Sequence, residues 1–108
     1  PTCRLRQFLI SKVDFLKIDI EGAEYDVIMD CADLLVNVNN IFIEYHSHFC
    51  EKQKLHEILS VLTESGFRYH VHEAFTVPRP YIDRELMLGM DLQLNIYGFR
   101  VNSADKCC

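Results

Sequence analysis

The sequence predicts an α/β fold in which helices pack on a largely parallel sheet, and three observations carry that prediction. Apolar, β-rich runs alternate with stretches of helical periodicity in the order strand, helix, strand, helix, strand, loop, strand, the pattern of βαβ crossovers. Two strands end in ionisable residues, Asp19 and Glu21 closing the first and Glu44 and His46 the second. The stripe Leu55, Ile58, Leu59 and Leu62 follows the spacing of one buried helix face.

After a lead-in over residues 1–12, Val13 to Ile20 reads as a strand buried on both faces, where continuous apolar residues replace alternation. Gly22 supplies a corner, and a first helix runs from Ala23 to Leu35 with Val27, Ile28, Cys31, Leu34 and Leu35 at helical spacing. Asn37, Asn39 and Asn40 form a turn-prone break before a second buried strand, Ile41 to His46. The second helix, from Glu51 onward, meets Gly66 where a left-handed C-terminal cap belongs. Phe67 to His72 alternates apolar and polar residues, as a strand near a sheet edge does. Pro78 and Pro80 make residues 77–91 a loop or lid, with a short helical piece near Asp83 to Leu88. Leu92 to Phe99 is the last strand, and the tail 101–108 is expected to fray. Two helices for four strands leave one side of the first strand expecting further strands.

Composition narrows the function classes. With 108 residues, 49% hydrophobic and 25% charged, the chain is a single globular unit. A net charge of -5 without a basic stripe speaks against nucleic acid, whose phosphates are held by Lys and Arg. No apolar run approaches the length of a membrane span. Five cysteines without C-x-x-C spacing read as reduced thiols and favour the cytoplasm.

The run Val13-Asp14-Phe15-Leu16-Lys17-Ile18-Asp19-Ile20-Glu21-Gly22-Ala23-Glu24 resembles the signature of the FkbM family of S-adenosylmethionine-dependent methyltransferases. Ile43-Glu44-Tyr45-His46, Ser65-Gly66-Phe67 and Leu94-Asn95-Ile96-Tyr97 agree with it in order. The resemblance implies a class I, Rossmann-like sheet of which this chain holds strands 4-5-7-6, with strand 7 antiparallel. It also implies S-adenosylmethionine as cofactor and a small-molecule or sugar hydroxyl as acceptor. The glycine-rich turn that holds the cofactor in such enzymes has no counterpart among the scattered Gly22, Gly66, Gly89 and Gly98. The chain therefore reads as a partial domain, the C-terminal half, expected to be inactive alone and not to bind the cofactor tightly. A rival reading is a non-catalytic interaction module that associates through its exposed sheet edge, with its own copy or with an N-terminal half.

Ligands of open α/β sheets bind at the carboxyl ends of the strands, so Asp19, Glu21, Glu44 and His46 form the candidate catalytic set. Asp19 would orient substrate or cofactor, and Glu44 or His46 would act as base. Glu24 is read as meeting the positive end of the first helix. No metal is expected. The pairs His46 with His48 and His70 with His72 stand two strand spacings apart if the last strand lies between them, too far to share one ion. Cys50 carries no mark of an activated thiolate.

Overall fold

The computed structural model describes residues 5–82 and 85–101. Most of the expected frayed tail, and the start of the helical piece expected from Asp83, lie outside these residues. A 3-10 turn (Leu5–Phe8) precedes strand β1 (Val13–Ile18). Helix α1 (Glu24–Cys31) is continued by a 3-10 stretch, Ala32–Asn37. Strand β2 (Val38–His48), helix α2 (Leu55–Glu64) and strands β3 (Arg68–Thr76) and β4 (Met90–Phe99) follow.

The sheet has the order β1-β2-β4-β3. Strands β1 and β2 are parallel, while β4 runs antiparallel to both its neighbours. Strand β4 thus lies between β2 and β3, which separates the two histidine pairs as expected, and β3 is an edge strand. Ile18, Ile41, Ile43, Tyr45 and Ile96 line one face and join Ile28, Leu35, Ile58 and Leu62 of the helical segments in a single core. No helix among the described residues is long and apolar enough to cross a membrane.

The opposite face carries no helix among the described residues, and this corrects one expectation. Strand β1 is not buried on both faces: Phe15 is 59% exposed, and only Ile18 is fully buried in this strand. Continuous apolarity cannot distinguish a strand covered on both sides from one whose second face is open. On that open face Phe42 meets Tyr97 edge-on at 5.1 Å, His72 tilts against Tyr97, and Lys17 lies over the Phe42 ring. Lys17 thus covers an aromatic ring with its charge still in water.

Several boundaries also differ. The helix predicted as one piece to Leu35 tightens to 3-10 geometry after Cys31. There Arg6 binds the Asp30 carbonyl and the Asp33 carboxylate, and Arg100 takes the Leu35 carbonyl. Asn39 and Asn40 belong to β2 instead of a turn, because their amides reach across to the Asp14 side chain and carbonyl of β1. Glu85 to Leu88 form no helix: Leu88 and Gly89 both have positive φ, and Met87 and Met90 exchange two backbone hydrogen bonds around them. That is the geometry of a two-residue hairpin turn of type I′.

Helix α2 ends as its sequence predicts. Gly66 has φ +90, its N–H reaches the Thr63 carbonyl, and the Phe67 N–H reaches that of Leu62, the paired bonds of a Schellman cap. The guanidinium of Arg100 then closes this end of the core. It donates to the carbonyls of Val38, Leu35 and Ser65 at 2.7 to 3.0 Å and stacks 4.0 Å from the Phe67 ring centre. One side chain from just beyond β4 thereby satisfies backbone acceptors of three other segments.

Cys31 is fully buried, and burial pushes its thiol up to about 11, from an ordinary value of 9.0. The thiol donates to the Val27 carbonyl. Between those two pH values the unfolded chain releases this proton and the native chain retains it, so stability falls as pH rises. Urea denaturation is expected to show an alkaline loss of up to roughly 3 kcal/mol that Cys31→Ala lacks. An unchanged alkaline slope in the variant would remove Cys31 as the cause. Cys50, by contrast, is free and exposed.

Candidate functional site

The carboxyl end of the parallel pair is where β2 outruns β1. Ile18 faces Ile43 at the last paired position, and β2 continues for five residues. Past that point the β1-side edge of β2 has no strand beside it among the described residues, and a side chain takes over. The Glu24 carboxylate accepts the backbone N–H of His46 at 3.1 Å with one oxygen and faces His46 Nδ1 at 3.1 Å with the other. Both side chains are buried, with 1% of Glu24 and 4% of His46 exposed. Burial pushes the Glu24 carboxyl up from the ordinary carboxylate range, and its contacts with His46 oppose that shift.

With Nδ1 held by Glu24, the other ring nitrogen of His46 points toward Glu44, whose Oε1 lies 3.5 Å from Nε2. Gln93, opposite His46 on β4, donates to the same Glu44 oxygen at 2.6 Å. Asp19, in the turn after β1, completes the group. Single ligand-type atoms of Asp19, Glu44 and His46 lie within 4.8 Å of one another. Glu21 is exposed and stands outside this cluster.

The structure therefore brings together three of the four residues proposed from sequence and leaves Glu21 apart. It adds Glu24, which sequence reasoning assigned to the helix terminus. A signal was available: Glu24 shares the i, i+4, i+7 spacing of Ile28 and Cys31, which places it on the buried face of α1. Gln93 had no such signal, because its role depends on the register of β4 against β2.

A cleft of about 410 Å³ opens beside the cluster, with His46, Glu24, Gly22 and Tyr45 in its wall and His48, Lys52 and Lys54 around it. Gly22 has φ +79, a conformation that strains any other residue, and a Cβ there would stand in tight contact 3.3 Å from His48 Nε2. The Tyr45 hydroxyl accepts the Lys54 backbone N–H, which fixes the entry to α2. Lys54 Nζ lies 4.2 Å from the centre of the Tyr25 ring, and the Tyr25 hydroxyl donates to Glu57 of α2. The cleft is of small-molecule size and polar at its base.

The carboxyl edge of the sheet, where carboxylates and an imidazole gather here, is the edge at which open α/β sheets take their ligands. The family model of the methyltransferase FkbM domain matches residues 1–69, and the chain belongs to that family. No curated protein and no solved structure matches it.

Proposed function

We propose that the chain is the acceptor-side, C-terminal half of an S-adenosylmethionine-dependent class I methyltransferase domain, with a hydroxyl of a small molecule or sugar as acceptor. On this reading β1, β2, β4 and β3 are strands 4-5-7-6 of the full sheet, and the exposed edge of β1 is where strand 1 would pair. The observation that carries the proposal is the Asp19, Glu44 and His46 cluster at the carboxyl end of the parallel pair, inside the segment that matches the family.

The cofactor, when bound, supplies a methyl group on a sulfonium. The residues of this chain do not fit its cradle. Gly22 forms the turn against His48, Gly66 caps α2, Gly89 makes the hairpin and Gly98 lies under the Ile41 side chain. Among the described residues no glycine-rich strand-turn-helix is left to receive the cofactor's amino-acid and ribose ends. No step is therefore assigned to residues holding the cofactor.

What these residues suit is the acceptor. Asp19, exposed at the strand end, can accept a hydrogen bond from the incoming hydroxyl and orient its oxygen. Glu44 or His46 Nε2 can take the hydroxyl proton, and Glu24 positions the imidazole through Nδ1. In the complete domain Asp19→Asn is expected to lower kcat by roughly 100-fold or more while thermal unfolding is unchanged. Full activity of that variant would remove Asp19 from the site. Calorimetry on the 108-residue chain is expected to show no tight binding of S-adenosylmethionine, and tight binding would overturn the half-domain reading.

A further inference from the structure

We propose that the cleft beside His46 binds an anionic group, a carboxylate or phosphate, through Lys54 and His48, so that the acceptor is a small hydroxylated acid. The proposal rests on the reading of this corner as the acceptor side and deepens it by naming the class of molecule held there.

Lys54 stands where elementary electrostatics disfavours it. It is the N-cap of α2, a position that suits Ser, Thr, Asp or Asn and that sets a cation against the positive end of the helix. Its side chain makes no capping bond, and among the described residues no carboxylate comes within ion-pair distance of its ammonium. Two tyrosines hold it in place instead. The Tyr45 hydroxyl accepts its backbone N–H at 3.0 Å, and Nζ lies 4.2 Å from the centre of the Tyr25 ring. Tyr45 is buried, and the Tyr25 hydroxyl is tied to Glu57. The ammonium is therefore fixed at the cleft wall with donors left for a ligand, an arrangement that lowers the cost of binding.

His48 is the second observation. It is partly buried in the same cleft, and neither ring nitrogen has a hydrogen-bond partner among the described residues. That sets it apart from His46, whose Nδ1 is held by Glu24. The acidic residues of the cleft do not cancel these groups: Glu24 engages both oxygens with His46, while Asp26 and Glu51 are exposed at the rim. Lys52, also at the rim, adds a second ammonium along the approach of an anion. The whole chain carries a net charge of -5, so two lysines and an imidazole around one cleft are a local exception to it.

A carboxylate or phosphate accepts charge-assisted hydrogen bonds, roughly twice as strong as neutral ones, from such donors. His46 lines the same cleft, so an anion seated on Lys54 and His48 leaves the rest of a small molecule beside that imidazole, with Asp19 and Glu44 beyond it. A sugar phosphate or a hydroxy carboxylic acid meets these demands, and a cleft of about 410 Å³ has the size for either.

Methyl phosphate and, separately, acetate titrated into the 108-residue chain at constant ionic strength test the proposal, followed by amide NMR spectra. Saturable binding at one site is expected, with the largest shifts at His48, Lys52 and Lys54. Tighter binding of methyl phosphate makes the acceptor a phosphate ester, and tighter binding of acetate makes it a carboxylic acid. Lys54→Met, which keeps an apolar contact with Tyr25, and His48→Gln should each weaken the tighter anion at least about 10-fold. Lys54→Arg restores the charge and should restore binding, which separates loss of the cation from damage to the fold. Lys17→Gln, on the open face of the sheet, should leave the affinity unchanged. Absence of saturation at tens of millimolar of both anions would overturn the proposal, as would equal weakening by Lys17→Gln and Lys54→Met. No methyl donor enters the titration, so failure here leaves the methyltransferase reading standing, and failure of that reading leaves the anion bound.

Discussion

Replacing Arg100 by leucine is expected to destabilise the chain by about 3–5 kcal/mol, seen as a lower urea midpoint with an unchanged slope. The guanidinium serves three carbonyls at once, Val38, Leu35 and Ser65, and hydrogen bonds to a charged donor contribute about 1.5–3 kcal/mol each before non-additivity is allowed for. Leucine can keep the apolar contact with Phe67 but leaves all three acceptors without this donor. Arg100→Lys should recover only a fraction, since a single ammonium lacks the planar fork that spans the carbonyls. Domains of this size are typically stable by about 5–15 kcal/mol, so the loss would take a large part of the total. A leucine variant within about 1 kcal/mol of the parent would show that water replaces the clasp without cost.

The second large effect is expected at Glu24. Alanine there removes the acceptor of a buried N–H and the partner of a buried imidazole, a loss of about 2–4 kcal/mol. Glu24→Gln keeps the volume and one carbonyl oxygen and should cost much less. It also exposes a pH dependence. Because burial raises the native Glu24 carboxyl, the folded chain holds this proton to higher pH than the unfolded chain does. Stability from this group is therefore greatest below the ordinary carboxylate range and falls as pH rises through the raised native value. Asp33 acts in the opposite sense: the Arg6 guanidinium lowers its carboxyl, and the stability it contributes is lost as pH falls. Comparing Glu24→Gln with the parent from pH 4 to 7 isolates the first contribution. A parallel pair of curves would remove Glu24 as its source.

The sheet was legible because its signals are local. Two strands ending in ionisable residues, the stripe of α2 and the αL glycine at Gly66 each need only a window of sequence, and crossover rules then make the first strands parallel neighbours, while the place of the last strand came from the family resemblance. The candidate site was legible to the extent that strand ends converge by construction, which brought Asp19, Glu44 and His46 to one corner. What stayed hidden depends on partners distant in sequence. Asn39 and Asn40 have turn chemistry, but Asp14 of the neighbouring strand captures their amides. Glu24 looks like a helix-terminus carboxylate until the overhang of β2 shows what it must satisfy. Phe15 looks like a core residue until the helices are seen to lie on the other face.

The position of β4 carries a further consequence, for the order in which the molecule can be built. It follows the other three strands in sequence yet is interior in the sheet, and Arg100, just after it, reaches back 62 and 65 residues to Val38 and Leu35. On an emerging chain β2 and β3 therefore wait unpaired on their facing edges, and the carbonyls of Leu35, Val38 and Ser65 lack their Arg100 donor, until β4 and Arg100 have been made. Seating β4 between β2 and β3 requires the long loop closures that slow such topologies. The acidic corner beneath His46 becomes rigid in the same event, when Gln93 arrives opposite it and fixes Glu44.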